Sequence, residues 1–176
     1  GIPGAIGASI AMNAGAYNTS MSDIVEEVKV ITPDLEIITM TNEELEFSYR
    51  DSFIKRNKDY IIVSAKLQLC MGNSEEIEDL ISSRRVKRME SQPLDAPSAG
   101  SVFRNPDGFY AGKLIEDCGL KGYRIGDAMV SEKHANFIIN VGNATGNDIV
   151  NLINYIKEKV KEKYDVDLVE EQLIIL

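Results

Sequence analysis

Three residues of this sequence have side chains and settings that suit chemistry on a small acid: Arg50, Ser101 and Glu171. Arg50 lies in Tyr49-Arg50-Asp51-Ser52. Its guanidinium is planar and always charged, so it can pair bidentately with a carboxylate. A Tyr-Arg pair in a loop, taken alone, reads as surface. Ser101 lies in Ala99-Gly100-Ser101-Val102-Phe103-Arg104-Asn105-Pro106, where no adjacent His or Lys could serve as its base. It therefore does not read as a nucleophile. A turn hydroxyl would look the same. Glu171 follows Glu170 in Val166-Asp167-Leu168-Val169-Glu170-Glu171-Gln172. Strand alternation would put the two acids on opposite faces without saying which one faces a site.

A second cluster opens the chain: Gly1-Ile2-Pro3-Gly4-Ala5-Ile6-Gly7, then Met12-Asn13-Ala14-Gly15-Ala16-Tyr17. The glycines have neither the spacing of a dinucleotide fingerprint nor the Lys-Ser/Thr ending of a P-loop. Close packing and an anion held on backbone N–H groups both remain open. His134 is the single histidine. A lone histidine is more often structural than catalytic.

Composition limits the partners. The chain has 176 residues, 44% hydrophobic and 27% charged, with 19 basic against 28 acidic residues and a net charge of -9. That sign disfavours nucleic acid and membrane surfaces, so an anionic ligand needs a local site. Cys70 and Cys118 lie far apart without metal-ligand spacing, which argues against zinc and a disulfide framework and for a reducing cytoplasm. No apolar run is long enough to cross a bilayer, and no signal peptide is evident. The absence of Met at position 1 reads as part of a longer chain.

The elements that must position these residues follow from periodicity. The first seventeen residues read as loop and turn. Val28 and Val30, then Leu35 and Ile37, alternate around Pro33-Asp34 as a β-hairpin. Thr41 and Glu44 can form a capping box for one helical turn, and Phe47 to Ser52 reads as a polar loop. Asp59 to Leu69 alternates as a strand. Asn73 and Glu76 can cap a helix with Ile77, Leu80 and Ile81 on one face, ending in Arg84, Arg85, Lys87 and Arg88, which complement the helix dipole. Gln92 to Pro106 reads as a loop, Phe109 to Cys118 as a helix stopped by Gly119, and Asn136 to Val141 as a strand. Ile149, Leu152, Ile153, Ile156 and Val160 mark an amphipathic helix with Thr145 near its start. Val166 to Ile175 reads as a closing strand. Strands and helices do not alternate regularly, so α+β is favoured over a doubly wound sheet.

These motifs together resemble the UDP-N-acetylenolpyruvoylglucosamine reductase family, in its second type with the Y-R-D-S motif. The glycine segment with Asn13-Ala14-Gly15 is similar to the family's second flavin-binding segment. Gly100-Ser101-Val102-Phe103-Arg104-Asn105-Pro106 resembles its catalytic loop. Leu120 to Gly126, Val130-Ser131 and His134-Ala135-Asn136-Phe137 match a further stretch. The closing pattern selects Glu171 rather than Glu170, with Gln172 standing where an apolar residue is usual.

The resemblance implies a remnant of a two-lobed FAD-binding domain over residues 1–70, followed by an autonomous α+β substrate-binding domain over residues 71–176. The first flavin lobe would precede Gly1. It implies FAD reduced by NADPH, a UDP-sugar substrate, a monomer, no metal, and reduction of UDP-N-acetylglucosamine enolpyruvate to UDP-N-acetylmuramate for peptidoglycan. Arg50 and Glu171 would stabilise the enolate, and Ser101 would protonate carbon. Gly1, Ile2, Pro3, Gly4, Gly7, Asn13, Ala14 and Gly15 would contact FAD, while Tyr49, Asn105 and His134 would contact the substrate. The chain alone would be inactive. The competing expectation is a non-catalytic nucleotide-sugar binding module of the same fold.

Overall fold

The computed structural model describes residues 4–175, so Gly1, Ile2 and Pro3, expected to contact FAD, lie outside the described residues. The α+β architecture expected from the sequence is the one found. The chain divides into two compact units, 1–78 and 79–176, where the sequence analysis placed a change after residue 70.

The first unit starts with α1 (Ile6–Ala11), a helix where loop and turn were expected. The glycine-rich composition hid it, because only Ile10 provides a buried anchor. A two-residue hairpin follows, β1 (Gly15–Ala16) with β2 (Thr19–Ser20). Gly15 is required there: a Cβ would sit 2.6 Å from the Thr19 carbonyl oxygen. The expected hairpin is present as β3 (Val25–Ile31) and β4 (Ile37–Thr41), but Leu35 leaves it for the turn, exposed and at φ +63°. Thr41 and Glu44 make the reciprocal bonds of a capping box, and the residues between them form a turn rather than a helix. A short helix, α2 (Phe53–Arg56), is started by Ser52, and β5 (Ile61–Leu67) completes an antiparallel sheet in the order β4-β3-β5. Ile10, Val25, Val28, Val30, Met40, Leu45 and Ile54 form its core.

The expected helix is present as α3 (Ser74–Ser91). Ile77, Leu80 and Ile81 are 48–58% exposed and the helix buries none of its residues. The apolar stripe breaks off at Arg84, Arg85 and Arg88, the positions that would extend it by one turn and two.

In the second unit, β6 (Ser98–Ser101) appears within the expected loop. Its Ser-Ala-Gly-Ser sequence has little strand character; pairing with a partner strand makes it one. The helix α4 (Ala111–Asp117) ends near Gly119, whose φ of +72° suits glycine. The strands β7 (Arg124–Ile125), β8 (Ala128–Val130) and β9 (Phe137–Asn140) complete an antiparallel sheet in the order β6-β9-β8-β7. The expected amphipathic helix is α5 (Gly146–Tyr164), capped by Thr145 with Asp148 returning the bond. It buries Leu152, Ile153, Ile156 and Val160 against a core that includes Val102, Phe103, Leu114, Ile115, Val130 and Leu168. The expected closing strand is corrected as well: from Val166 onward the chain makes only an isolated bridge, Phe103 with Glu170. Its backbone bonds are local to that crossing instead of continuing along a ladder.

Candidate active site

In the first unit, the backbone fixes Tyr49 and Arg50 as the two central residues of a tight turn. Ser48 and Asp51 exchange both N–H···O bonds, at 3.1 and 3.2 Å. Arg50 takes φ +57°, a left-handed conformation that costs a residue with a side chain about 1 kcal/mol or more. Neighbouring contacts hold it there. Lys55 Nζ donates to the Arg50 carbonyl at 2.6 Å, and Arg50 Nη2 donates to the Gly15 carbonyl at 3.0 Å. The Arg50 guanidinium also lies 5.2 Å from the Tyr49 ring centroid. Ser52, fully buried, donates to the Ala11 carbonyl at 2.7 Å and accepts from the Lys55 amide. The Tyr-Arg-Asp-Ser turn and the glycine segment are therefore one structure.

Asn13 performs a scaffold task. Its buried side chain donates to the Ser48 carbonyl at 2.8 Å and accepts from the Ser22 amide at 3.0 Å. Ala14 accepts the Met21 amide at its carbonyl. At the start of α1, Ala5 stands as N-cap with no side-chain cap, and the first intrahelical bond runs from the Ser9 amide to the Ala5 carbonyl at 3.0 Å. The amides of Ile6, Gly7 and Ala8 thus precede the first helical donor, the Ser9 amide. Among the described residues a Cβ on Gly4 would meet only Ser9 Oγ at 4.0 Å, so they leave room for a ligand atom at that backbone.

In the second unit, Ser101 ends β6 opposite Phe137 and is exposed. The chain running on from it is held on two sides. On one, the Val102 amide donates to the Asn136 carbonyl at 2.9 Å; on the other, the Val102 carbonyl accepts the Glu171 amide at 2.8 Å. The Arg104 amide donates to Val169 at 2.9 Å. Glu171 and the segment of Ser101 thus meet. Glu170 and Glu171 separate: Lys157 Nζ lies 2.7 Å from Glu170, and Arg104 Nε lies 3.2 Å from Glu171 Oε2.

Asn105 lies in the same loop, and its side-chain oxygen accepts the Ala111 amide at 3.1 Å, joining the loop to α4. His134 is half-buried, edge-on to Phe137 with centroids 4.9 Å apart. Its Nδ1 accepts the Asn136 amide at 3.2 Å, so the neutral ring carries its proton on Nε2. Burial holds this imidazole below its usual pKa.

Arg104 and Asn136 were not selected from the sequence. Asn136 is buried and closes a two-bond clasp on Phe103, accepting its amide at 2.9 Å and donating to its carbonyl at 2.8 Å. Both residues stand inside quoted motifs, so their signal was present but lacked a chemical reason. Gln172, the departure from the apolar pattern, donates to the Gly100 carbonyl at 3.4 Å.

Residues 92–175 match the family described as UDP-N-acetylenolpyruvoylglucosamine reductase, C-terminal domain. Residues 92–175 belong to that domain family. Among its relatives, the UDP-N-acetylenolpyruvoylglucosamine reductase of Caldanaerobacter subterraneus subsp. tengcongensis is 53% identical over 99% of this chain, which spans 58% of that protein. The reductase of Clostridium tetani is 49% identical over 99% of the chain and 57% of its own length. The crystal structure of the reductase from Thermus caldophilus superposes with a TM-score of 0.80 at 38% identity, covering 96% of this chain and 60% of that one. The chain thus spans somewhat more than half the length of these reductases. Among the described residues no helix is long and apolar enough to cross a membrane.

Proposed function

We propose that this chain carries the substrate-binding domain and part of the flavin-binding domain of a reductase that converts UDP-N-acetylglucosamine enolpyruvate to UDP-N-acetylmuramate, a peptidoglycan precursor, with NADPH and FAD. The observation that supports this most is the bond from the Glu171 amide to the Val102 carbonyl, which joins the segment of Glu171 to that of Ser101 within residues 92–175.

The start of α1 fits the pyrophosphate of FAD, because an uncapped first turn and the open space at Gly4 offer N–H donors to an anion. Gly4, Gly7 and Gly15 would hold it, with the Asn13 side chain bracing the loop, while Ala14 gives its amide to the Ser9 carbonyl at 2.8 Å. When bound, the flavin supplies hydride.

The chain's own residues do the rest. Arg50, oriented by Gly15 and Lys55, pairs with the substrate carboxylate. Charge develops on the enolate as hydride is added, and Arg50 and Glu171 stabilise it. Ser101, exposed at the end of β6, gives its hydroxyl proton to the carbon next to the carboxylate. Tyr49, Asn105 and His134 contribute to substrate placement. Cys70 and Cys118 are free thiols, which suits the reducing cytoplasm, and we assign the protein there as a monomer.

The test has two arms. Calorimetric titration of the 176-residue chain with UDP-N-acetylglucosamine enolpyruvate is expected to give saturable binding. In a protein of the relatives' full length that carries these residues, Ser101→Ala is expected to lower kcat by about 10²–10⁴-fold, the usual share of a general acid. Binding with unchanged turnover of the Ser101→Ala protein would remove the proton-donor role. Binding without any turnover by the parent would favour a nucleotide-sugar binding module.

A further inference from the structure

We propose that Arg104 is a positioning residue for Glu171: it fixes the carboxylate that acts on the substrate without itself touching the reacting atoms. The inference rests on the function proposed above.

Arg104 Nε lies 3.2 Å from Glu171 Oε2. The two side chains are 31% and 24% exposed, the two facing atoms are both closed to solvent, and the contact between them is a charge pair without hydrogen-bond geometry. The contact is therefore unlike a surface pair, whose charges face water and whose geometry drifts. Closing the facing atoms of a cation and a carboxylate off from solvent is tolerated where each supports the other, because a lone charge there is expensive.

The base of the Arg104 side chain is held as well. Its amide donates to Val169 at 2.9 Å, and the preceding residue, Phe103, is clasped through both backbone groups by Asn136. The guanidinium thus extends from a fixed backbone toward a glutamate carboxylate that has several rotatable bonds to restrain. Arg104 also stands three residues after Ser101 on the same extended segment. The spacing between acid and serine is thus set twice, by the Glu171 amide on Val102 and by Arg104 on the Glu171 carboxylate. Glu170 has its own cation, Lys157 at 2.7 Å, so the two cations sort the adjacent acids to separate places.

The experiment compares Arg104→Met, Arg104→Lys, Glu171→Gln and the Arg104→Met/Glu171→Gln double variant in a protein of the relatives' full length. If Arg104 acts through Glu171, Arg104→Met lowers kcat by about 10–10²-fold, as expected for a misplaced catalytic group, with KM little changed. Arg104→Lys recovers part of the loss, and the double variant is no slower than Glu171→Gln alone. Losses that multiply in the double variant, or that fall on KM, overturn the proposal. Should the parent fail to reduce UDP-N-acetylglucosamine enolpyruvate, the functional reading fails by itself, and NMR still decides on Arg104. In the 176-residue chain with ¹³C-labelled glutamate, the carboxyl resonance missing from Glu171→Gln is expected to move in Arg104→Met while that of Glu170 stays. An unmoved Glu171 resonance overturns the positioning role.

Discussion

The Glu171 amide and the Val102 carbonyl are joined at 2.8 Å, so the acid is tied to the residue that directly follows Ser101. That single bond makes two motifs seventy positions apart into one feature, and its strength depends on whatever keeps Val102 and its neighbours in line. Asn136 is the main support.

Asn136→Ala is expected to destabilise the second unit by about 2–4 kcal/mol. The substitution deletes two side-chain bonds and leaves the Phe103 amide and carbonyl unpaired in a buried place. Urea unfolding monitored by circular dichroism measures it. A loss below about 0.5 kcal/mol would show that water or the backbone takes over the bonds.

His134 is the only histidine, so its C2 proton titrates alone in a proton spectrum. Burial lowers its pKa, with smaller opposing contributions from its own backbone bond and from Glu116, and its Nδ1 is already an acceptor. The midpoint is expected below the ordinary 6.5. The sign for stability follows: the unfolded chain binds the proton first, so the contribution is full above about 6.5 and is lost as pH falls through the folded midpoint. His134→Gln should flatten that part of the stability curve. A midpoint at or above 6.5 would contradict the buried acceptor.

Glu170 shows the acid-side counterpart. Burial by itself would raise its pKa, but the Lys157 ammonium at 2.7 Å and a backbone bond outweigh it and leave the carboxyl below its ordinary value. Its contribution is present above the unfolded pKa of about 4.3 and disappears as pH falls through the folded one. Thermal melts should therefore separate Glu170→Gln from the parent near neutrality and bring the two together in acid. Equal separation at all pH values would mean that the pair contributes nothing through charge.

Gly15→Ala is expected to destabilise the first unit by about 1–3 kcal/mol, since the new methyl meets the Thr19 carbonyl at 2.6 Å and Ser20 Cβ at 2.9 Å across the β1–β2 hairpin. The same shift would pull the Gly15 carbonyl away from Arg50. Melting temperatures of the parent and the variant decide it, and no change would show that the hairpin can open without cost.

The parts of the fold that could be read from the sequence are those whose side chains carry the order. The spacing of Ile149, Leu152, Ile153, Ile156 and Val160 marks α5 because those residues are its buried face. Val28 and Val30 mark β3 for the same reason. What could not be read depends on backbone or on distant partners. Ser98 to Ser101 is a strand because Phe137 and Ile139 pair with it, and nothing in Ser-Ala-Gly-Ser announces that. In the opposite direction, Ile77, Leu80 and Ile81 look like a buried face and are exposed. The site shows the same division. Family motifs picked out Ser101 and Glu171 by residue type, whereas the roles of Asn136 and Arg104 depend on contacts that only the folded chain brings together.

The strand β6 also has a history during synthesis. Phe103, just beyond it, waits 33 residues for Asn136, and Gly100 waits 72 residues for Gln172. A nascent chain emerging from the ribosome therefore carries β6 first without a neighbour and then with one, and the segment just beyond it, Val102 to Arg104, has no second neighbour until the residues around Glu171 have been made. An open strand edge is a template for wrong pairing. The most delicate interval in making this protein thus falls between translation of β9 and translation of Glu171, and slow elongation there would prolong the exposure of the segment that carries Ser101.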